Sequence, residues 1–560
     1  MPALRGDILF SLLCFLLSTV ALPAQTVDQL YFEKYGSLEV EVDPRGFDMD
    51  LIGPDISIDH GCTQHGLRLD VTEDGYATLM ATGHPFVPMI KEDVKVRTLS
   101  MKEIDKLRNP GECLPVFDFY PDYDAYVQMM EDFVVQYPDL CELMDLGTLD
   151  SGRKILMLHI GDNISEPEDE PQVLYTSSMH GDELGGFPVL IQFIDHLLCQ
   201  YDSDDQIRRL VDEIDLYVSP LTNPDGMYRD DNATIENPRR RNANNVDLNR
   251  NYPDPEDGDQ PDNRPRQDET IILMDFADAH DIDLACNIHS GAEVVNYPWD
   301  TFEHLPADVD WWIKSCRTYA DTAQTYSADG YMTDLDNGIT NGFEWFEVRG
   351  GRQDYMNFDQ RAREFTLEIS QVKVFGAAGL PDLWEANRRS LINYMGEALN
   401  GLRGIVRDCE TDEPLMAEIR IEGHDEDNSS VFSHSALGNY HRYLHEGNYT
   451  VSVIADTYET QDIVVDIACG EVTLLNVDLC PAEPSSTEEI EDEIRITQSS
   501  SALTASSQQN IKSLALYDYS GKMIKTIAGT TMTIDDITPG AFLLSVQLAR
   551  NQKTYPIFIK

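Results

Sequence analysis

Positive charge is what this 560-residue chain has least of: Lys and Arg number 41 against 100 Asp and Glu, a formal net charge of −59. That deficit excludes a general nucleic-acid binder, which needs a basic footprint. It also disfavours adhesion to anionic membranes. A field of this sign concentrates cationic ligands, and it equally serves solubility outside a cell. A CxxC pair is missing among the 10 cysteines, which argues against a thiolate zinc site or a redox dithiol. Beyond the N-terminus, no run has the length and apolarity of a transmembrane helix.

What is present is a globular composition, 42% hydrophobic and 25% charged, in a chain long enough for two to four domains. The opening "MPALRGDILFSLLCFLLSTVALPAQT" sets Arg5 before an apolar run from Ile8 to Leu22, with small residues around Ala24. It reads as a signal peptide over 1–24, so export is expected. Cys14 leaves with it, and the nine cysteines that remain cannot all pair within the chain; their connectivity stays open.

The body of the chain changes character several times. Residues 26–112 hold short strand-like runs such as "SLEVEVD", and read as an N-terminal domain or prosegment. From 115 to 400, helical periodicity ("YDAYVQMMEDFVVQYP") alternates with β-rich runs ("KILMLHIG", "QVLYTSSMH"), which predicts an α/β domain with a largely buried sheet. Short alternating strands with Gly, Asn and Asp turns fill 401–480, as in a small β-sandwich. An acidic linker at 481–495 leads to a second short β module at 496–560.

The chemistry gathers in the α/β region. In "YTSSMHGDELGGF", His180 and Glu183 stand three residues apart at the end of an apolar run, and His180 alone of 13 histidines has Glu at that position. A catalytic zinc commonly takes three protein ligands and keeps an open position, so the pair needs a third. His289, closing a β-like run in "CNIHSGAEVVNYPWD", offers it. Each feature alone is equally a polar loop or a hydrogen-bonded histidine. Glu368 in "EFTLEIS" is a candidate base, or an outward-facing strand residue beside Glu364. "RRRNANNVDLNRNYPD" concentrates arginines in an acidic chain, either as a solvated loop or to hold an anion.

Taken in order, His180-x-x-Glu183, "NPDG" at 223–226, "DLNRNYPD" at 247–254, "IHSG…NYPWD" and "TLE" at 366–368 resemble the zinc metallocarboxypeptidases. The likeness is to the subfamily that includes carboxypeptidases D, E, M and N. It covers about residues 115–400, and the sandwich after it is similar to the transthyretin-like domain that follows the catalytic domain there. The resemblance implies an α/β fold with a mixed, mostly parallel sheet flanked by helices, followed by small all-β sandwich domains. It implies one Zn²⁺ per catalytic domain on His180, Glu183 and His289, with Glu368 as proton carrier and Arg240 stabilising the oxyanion. Asn249 and Arg250 match the clamp on a substrate's terminal carboxylate. Asp300 and Gln353 match the polar pair that accepts Lys or Arg side chains, and Tyr297 falls among the substrate-binding positions. The family's mobile tyrosine, 22 residues before the catalytic glutamate, is replaced by Phe346, which implies weaker substrate engagement rather than inactivity.

The expected partners are therefore C-termini of peptides or proteins, with no nucleic acid, and the chain itself is expected to be a monomer. The last 60 or so residues, with "LYDYSGKMIKTI" and "IDDITPGAFLLSV", resemble the sorting domains read by the type IX secretion machinery of Bacteroidetes-like bacteria. A secreted or cell-surface station follows from that likeness. Two other functions compete: a zinc amidase acting on modified or cell-wall peptides, and a catalytically idle peptide-binding module.

Overall fold

Eight of the strand-like runs between residues 141 and 369 pair into one mixed sheet in the computed structural model of the chain. The structure describes residues 29–60, 66–90, 96–107 and 113–482, with seven strands between 495 and 559. The expected signal peptide and nearly all of the acidic linker lie outside the described residues. Two units are distinguished, one ending at Pro481 and one beginning at Ala482.

The N-terminal part of the first unit is an antiparallel sheet in the order β2–β3–β1–β4, from β1 (Leu38–Val42), β2 (Ile56–His60), β3 (Leu67–Val71) and β4 (Phe86–Met89). In "LEVEV" the alternation sends Leu38, Val40 and Val42 into the core and leaves Glu39 and Glu41 on the other face. The helix Glu73–Thr82 starts on a Thr72 side-chain cap and stops at Gly83, whose φ of 72° suits glycine. A two-residue parallel ladder, β5 (Thr98–Leu99) with β6 (Tyr120–Pro121), leads into the next domain.

The large sheet comprises β7 (Cys141–Thr148), β8 (Lys154–Ile160), β9 (Gln172–Ser177), β10 (Asp215–Ser219), β11 (Ile282–His289), β12 (Glu293–Tyr297), β13 (Ile339–Asn341) and β14 (Arg363–Ile369). Its order is β13–β12–β14–β11–β9–β10–β8–β7. The central strands β10, β9, β11 and β14 run parallel, and antiparallel pairing enters at β8, β7 and β12. Successive residues of β9 face opposite clusters: Val173 and Tyr175 join the main core, while Leu174 joins a second core with Met157 and Ala285. A strand buried on both faces needs an apolar run rather than alternation, and "VLYTS" satisfies that. Helices Gly186–Gln200 and Leu380–Glu397 contribute to the first cluster, and Asp268–Ala279 to the second. The sheet is thus flanked on both faces, the α/β architecture expected.

Two four-stranded sheets follow. One has β18 (Asn439–Arg442), β15 (Gly401–Asp408) and β21 (Val472–Leu474), with β22 (Val477–Leu479) also on β15; the other has the order β17 (Val431–Phe432), β16 (Glu418–Ile421), β19 (Gly447–Ile454) and β20 (Gln461–Ile467). Leu402, Val406, Ile419, Ile421, Val451 and Val453 fill the space between them. Disulfides join Cys113 to Cys199 and Cys409 to Cys480, while Cys141, Cys286 and Cys316 are buried thiols and Cys469 is exposed. The second unit contains antiparallel strands in one three-stranded and one four-stranded sheet. Among the described residues, no helix is long and apolar enough to cross a membrane.

Candidate active site

The candidate residues converge at the carboxyl ends of the parallel strands, where open α/β sheets place their sites. The loop leaving β9 carries His180 and Glu183, and β11 ends on His289. Parallel pairing of β11 with β14 sets His289 directly beside Glu368. Gly181 shows why the metal loop and the "NPDG" turn meet: a Cβ there would lie 2.3 Å from the Gly226 carbonyl carbon. Asn223 then locks the two, accepting from Gly226 N at 2.8 Å and donating to Met179 O at 3.0 Å.

One nitrogen or oxygen from each of His180, Glu183 and His289 lies within 4.8 Å of the others, and all three residues are buried. Glu183 Oε1 is 2.8 Å from His180 Nδ1, and its Oε2 is 2.9 Å from His289 Nδ1. Asp247 accepts from the far nitrogen of His180, Nε2, at 3.0 Å, which leaves Nδ1 as the lone-pair donor toward the cleft. The Asn287 side-chain amide meets His289 Nε2 at 2.8 Å. Two imidazoles, each with a partner on its far nitrogen, and a carboxylate that also accepts from Ser290 N at 3.1 Å are the donor set of a catalytic zinc site, so these residues fit that ion. Burial raises the Glu183 carboxyl, but His180 and His289 outweigh it and hold it well below the usual range.

Around the donors stand the other expected residues. Arg240 is buried; its Nε donates to Asp247 at 3.1 Å, and its Nη1 lies 3.2 Å from Glu183 Oε1. Glu368 lines the same cleft, and its Oε2 is buried without a hydrogen-bond partner. Burial, reinforced by Glu183 and Asp59, pushes its carboxyl well above the ordinary value. Asn249 and Arg250 also line the cleft, with Asp300. Asp300 Oδ1 accepts from Gln353 and from Asn296, both at 2.9 Å, and a Cβ on Gly342 would collide with that oxygen. Burial raises the Asp300 carboxyl to about 6 against the opposing influence of Asn296 and Arg250.

One expectation is corrected. Tyr297 does not face the cleft; its ring belongs to the main core. Strand alternation is the reason, since Asn296 is its neighbour on β12 and takes the cleft side.

Three residues at the site escaped sequence reasoning. Asp247, within the "DLNRN" segment, orients both His180 and Arg240. The second is Asp59 on β2, buried, with Oδ1 2.7 Å from Arg240 Nη1. The third is Lys373, whose Nζ donates to the two Asp59 oxygens at 2.7 and 2.6 Å. Next to Asp59, the Ile58 carbonyl accepts from Arg250 Nη2 at 2.6 Å. The N-terminal domain therefore reaches the cleft cations directly. Phe346 also packs against that domain's apolar core. "DLNRN" was a usable signal for Asp247; Asp59 and Lys373 had none, being 314 residues apart.

Comparison with known proteins agrees with this geometry. The zinc carboxypeptidase family matches residues 126–390. Mouse carboxypeptidase D is 32% identical over 364 residues, which cover 62% of this chain but 26% of that protein. The chain thus spans about a quarter of those relatives. Mouse carboxypeptidase M is 30% identical over 377 residues, 63% of this chain and 83% of that one. The human carboxypeptidase N catalytic chain is 30% identical over 411 residues, 65% and 86% respectively. In fold, the structure of carboxypeptidase A from Helicoverpa armigera superposes with a TM-score of 0.50 at 18% identity, covering 65% of this chain and 98% of that one. With the donor set, the fold and these relatives in agreement, the chain belongs to the zinc carboxypeptidase family.

Proposed function

We propose that the chain is an exported carboxypeptidase that removes single C-terminal residues, preferably Lys or Arg, from peptides or proteins. One observation carries this reading: a two-His, one-Glu donor set, a buried glutamate and an Asn–Arg pair share one cleft with a buried aspartate. His180, Glu183 and His289 would hold a zinc ion, which would supply a Lewis acid and a water of lowered pKa, ~7. Glu368 takes the proton of the attacking water and delivers it to the leaving amine. Arg240 stabilises negative charge developing on the scissile carbonyl oxygen. Arg250 and Asn249 hold the substrate's terminal carboxylate, a task suited to a guanidinium fork, and this restricts cleavage to chain ends. Asp300, aligned by Gln353 and Asn296, receives the cationic terminal side chain. A retained, buried Glu368 argues against an idle binding module, and Asp300 against an amidase for uncharged modified peptides.

The remaining domains fit the same reading. The N-terminal sheet acts as a prosegment, since β2 engages Arg240 and Arg250, which substrate needs. The two-sheet domain at 401–480 is read as transthyretin-like, supported by its eight strands and its position. The C-terminal β unit is read as a secretion address, supported by the sequence likeness.

The test is hydrolysis of matched peptides ending in Arg, Lys, Leu, Phe or Glu, with and without a chelator. It is run on the full chain and on the chain after limited proteolysis of the N-terminal domain. Chelator-sensitive release of terminal Arg and Lys is expected. No chelator-sensitive release in either preparation sinks the enzyme reading, and equal rates for Leu and Arg sink only the role of Asp300. Replacing Glu368 with Gln should abolish turnover while metal analysis still finds zinc.

A further inference from the structure

Lys373 is a cation in the cleft for which the reaction above has no task. It follows β14, and its carbonyl oxygen accepts from Leu184 N at 2.9 Å, which ties it to the loop that carries the metal donors. Its side chain is 9% exposed, and Nζ donates to Asp59 and, at 3.2 Å, to Glu39, both from the N-terminal domain. Asp59 Oδ1 accepts from Arg240 at the same time, so one carboxylate bridges Lys373 and Arg240. A buried lysine costs several kcal/mol unless an anion accompanies it. On the prosegment reading, both carboxylates, Asp59 on β2 and Glu39 on β1, leave the cleft when the N-terminal sheet withdraws to admit substrate.

Strand β2 also indicates where on the substrate a replacement anion sits. Ile58 offers its carbonyl to Arg250, the residue read as the terminal-carboxylate clamp. Asp59, the next residue, reaches Lys373, and a strand advances about 3.3 Å per residue. Lys373 lines the cleft together with Glu368, and Asp59 joins it to Arg240, the residue read as facing the scissile carbonyl. We propose that Lys373 and Arg240 form an anion subsite for the side chain of an Asp or Glu immediately upstream of the scissile bond, and that Asp59 occupies this subsite until the N-terminal domain withdraws. The inference rests on the carboxypeptidase reading for the direction of the substrate, and adds a second specificity element to that of Asp300.

The experiment uses the full chain loaded with zinc and carrying Glu368→Gln to stop turnover. Asp59→Lys is added to drive β2 from the subsite, since it brings a third cation to Arg240 and Lys373. Fluorescent peptides ending Asp-Arg or Asn-Arg are titrated by anisotropy. The Asp peptide should bind about tenfold tighter, the scale of one charge-assisted hydrogen bond. Adding Lys373→Gln should bring the two affinities together, and high salt should narrow the gap. Should Asp59→Lys fail to fold, as judged by circular dichroism, Asp59→Asn is read in the same way. Equal affinities before the lysine is removed, a preference that survives its removal, or no binding of either peptide overturns the subsite. Failure of the carboxypeptidase reading shows elsewhere: the Glu368-containing chain would release no arginine whatever the Asp/Asn ratio.

Discussion

Asp308 and Asp59 are both buried carboxylates that join a flanking domain to the catalytic domain, and each engages two cations. Asp308 accepts from Arg363 at 2.7 Å and from Arg442 on both oxygens at 2.8 Å, with His424 at 2.9 Å on the sandwich side. Burial would raise its carboxyl, yet Arg442 and Arg363 outweigh that and hold it far below the ordinary range. Although Asp308, His424 and Asp425 are close enough to suggest a metal site, Arg442 already bridges the two aspartates. None of these partners lines the catalytic cleft. Asp59 uses the same kind of ion pairing, but Arg240 and Lys373 both line the cleft. The first network joins the two regions without involving the cleft. On the proposed reading the second competes with substrate, so its bonds would have to break before the chain works.

The difference can be broken at either end, and the larger effect belongs to Asp308. Asp308→Ala leaves Arg363 and Arg442 buried without their shared anion, a loss of about 3–5 kcal/mol. Denaturant unfolding of the full chain should show an unfolding free energy lowered by that amount, while zinc content of the folded protein stays unchanged. A loss under 1 kcal/mol would mean that solvent replaces the anion and the joint is not dry. At the other interface, Asp70 accepts from Arg241 at 2.8 Å, and Arg241 also reaches the Pro54 carbonyl just before β2. Asp70→Asn should loosen docking by about 1–3 kcal/mol, leaving the Arg241 charge without its carboxylate. Hydrogen exchange in β2 and β3 should quicken, and hydrolysis of an Arg-ended peptide should rise severalfold. Faster exchange with an unchanged rate would show that β2 does not limit access.

The catalytic half of this contrast was legible in the sequence for a physical reason. His180, Glu183, His289 and Glu368 stand at or near the ends of apolar runs that had to become buried parallel strands, so the fold and the site shared one pattern. Period 2 was also available for β12, yet the expectation for Tyr297 ignored it, and Asn296 is the residue that lines the cleft. The N-terminal interface had no such pattern. Asp59 is one of 100 acidic residues, and its partners come from segments far away in the chain. Long-range ion pairs of this kind leave no periodicity, and neither did the pairing of Cys113 with Cys199.

Specificity at Asp300 gives a smaller effect with a definite sign. Its carboxyl, raised to about 6 mainly by burial, is faced by Arg250, Asp254 and Asp354. Only the ionised form would attract a terminal Arg, so the proposed preference should be present above that value and fade as pH falls through it. The ratio of kcat/KM for Arg-ended over Leu-ended peptides should drop about tenfold between pH 7.5 and 5, within the range of a charge-assisted hydrogen bond. In Asp300→Asn the ratio should be low and flat across that range. A pH-independent ratio in the unaltered chain would assign basic selectivity to some other group.

The smallest effect tests why the family tyrosine is a phenylalanine here. Phe346 packs on Trp345, with ring centroids 4.7 Å apart, and against the apolar core of the N-terminal domain. A hydroxyl added there would enter an apolar contact in the docked state, at a cost of about 1 kcal/mol or more if unpaired. Once the domain withdraws, the same hydroxyl could donate to substrate, a gain of about 0.5–1.5 kcal/mol. Phe346→Tyr should therefore weaken docking and strengthen substrate engagement together, raising kcat/KM by roughly two- to tenfold on both counts. The two contributions separate when the variant is compared before and after limited proteolysis of the N-terminal domain. A gain that vanishes on proteolysis belongs to docking, and one that persists belongs to substrate. If the rate falls in both states, phenylalanine serves the open cleft itself, and its contact with the N-terminal domain is incidental.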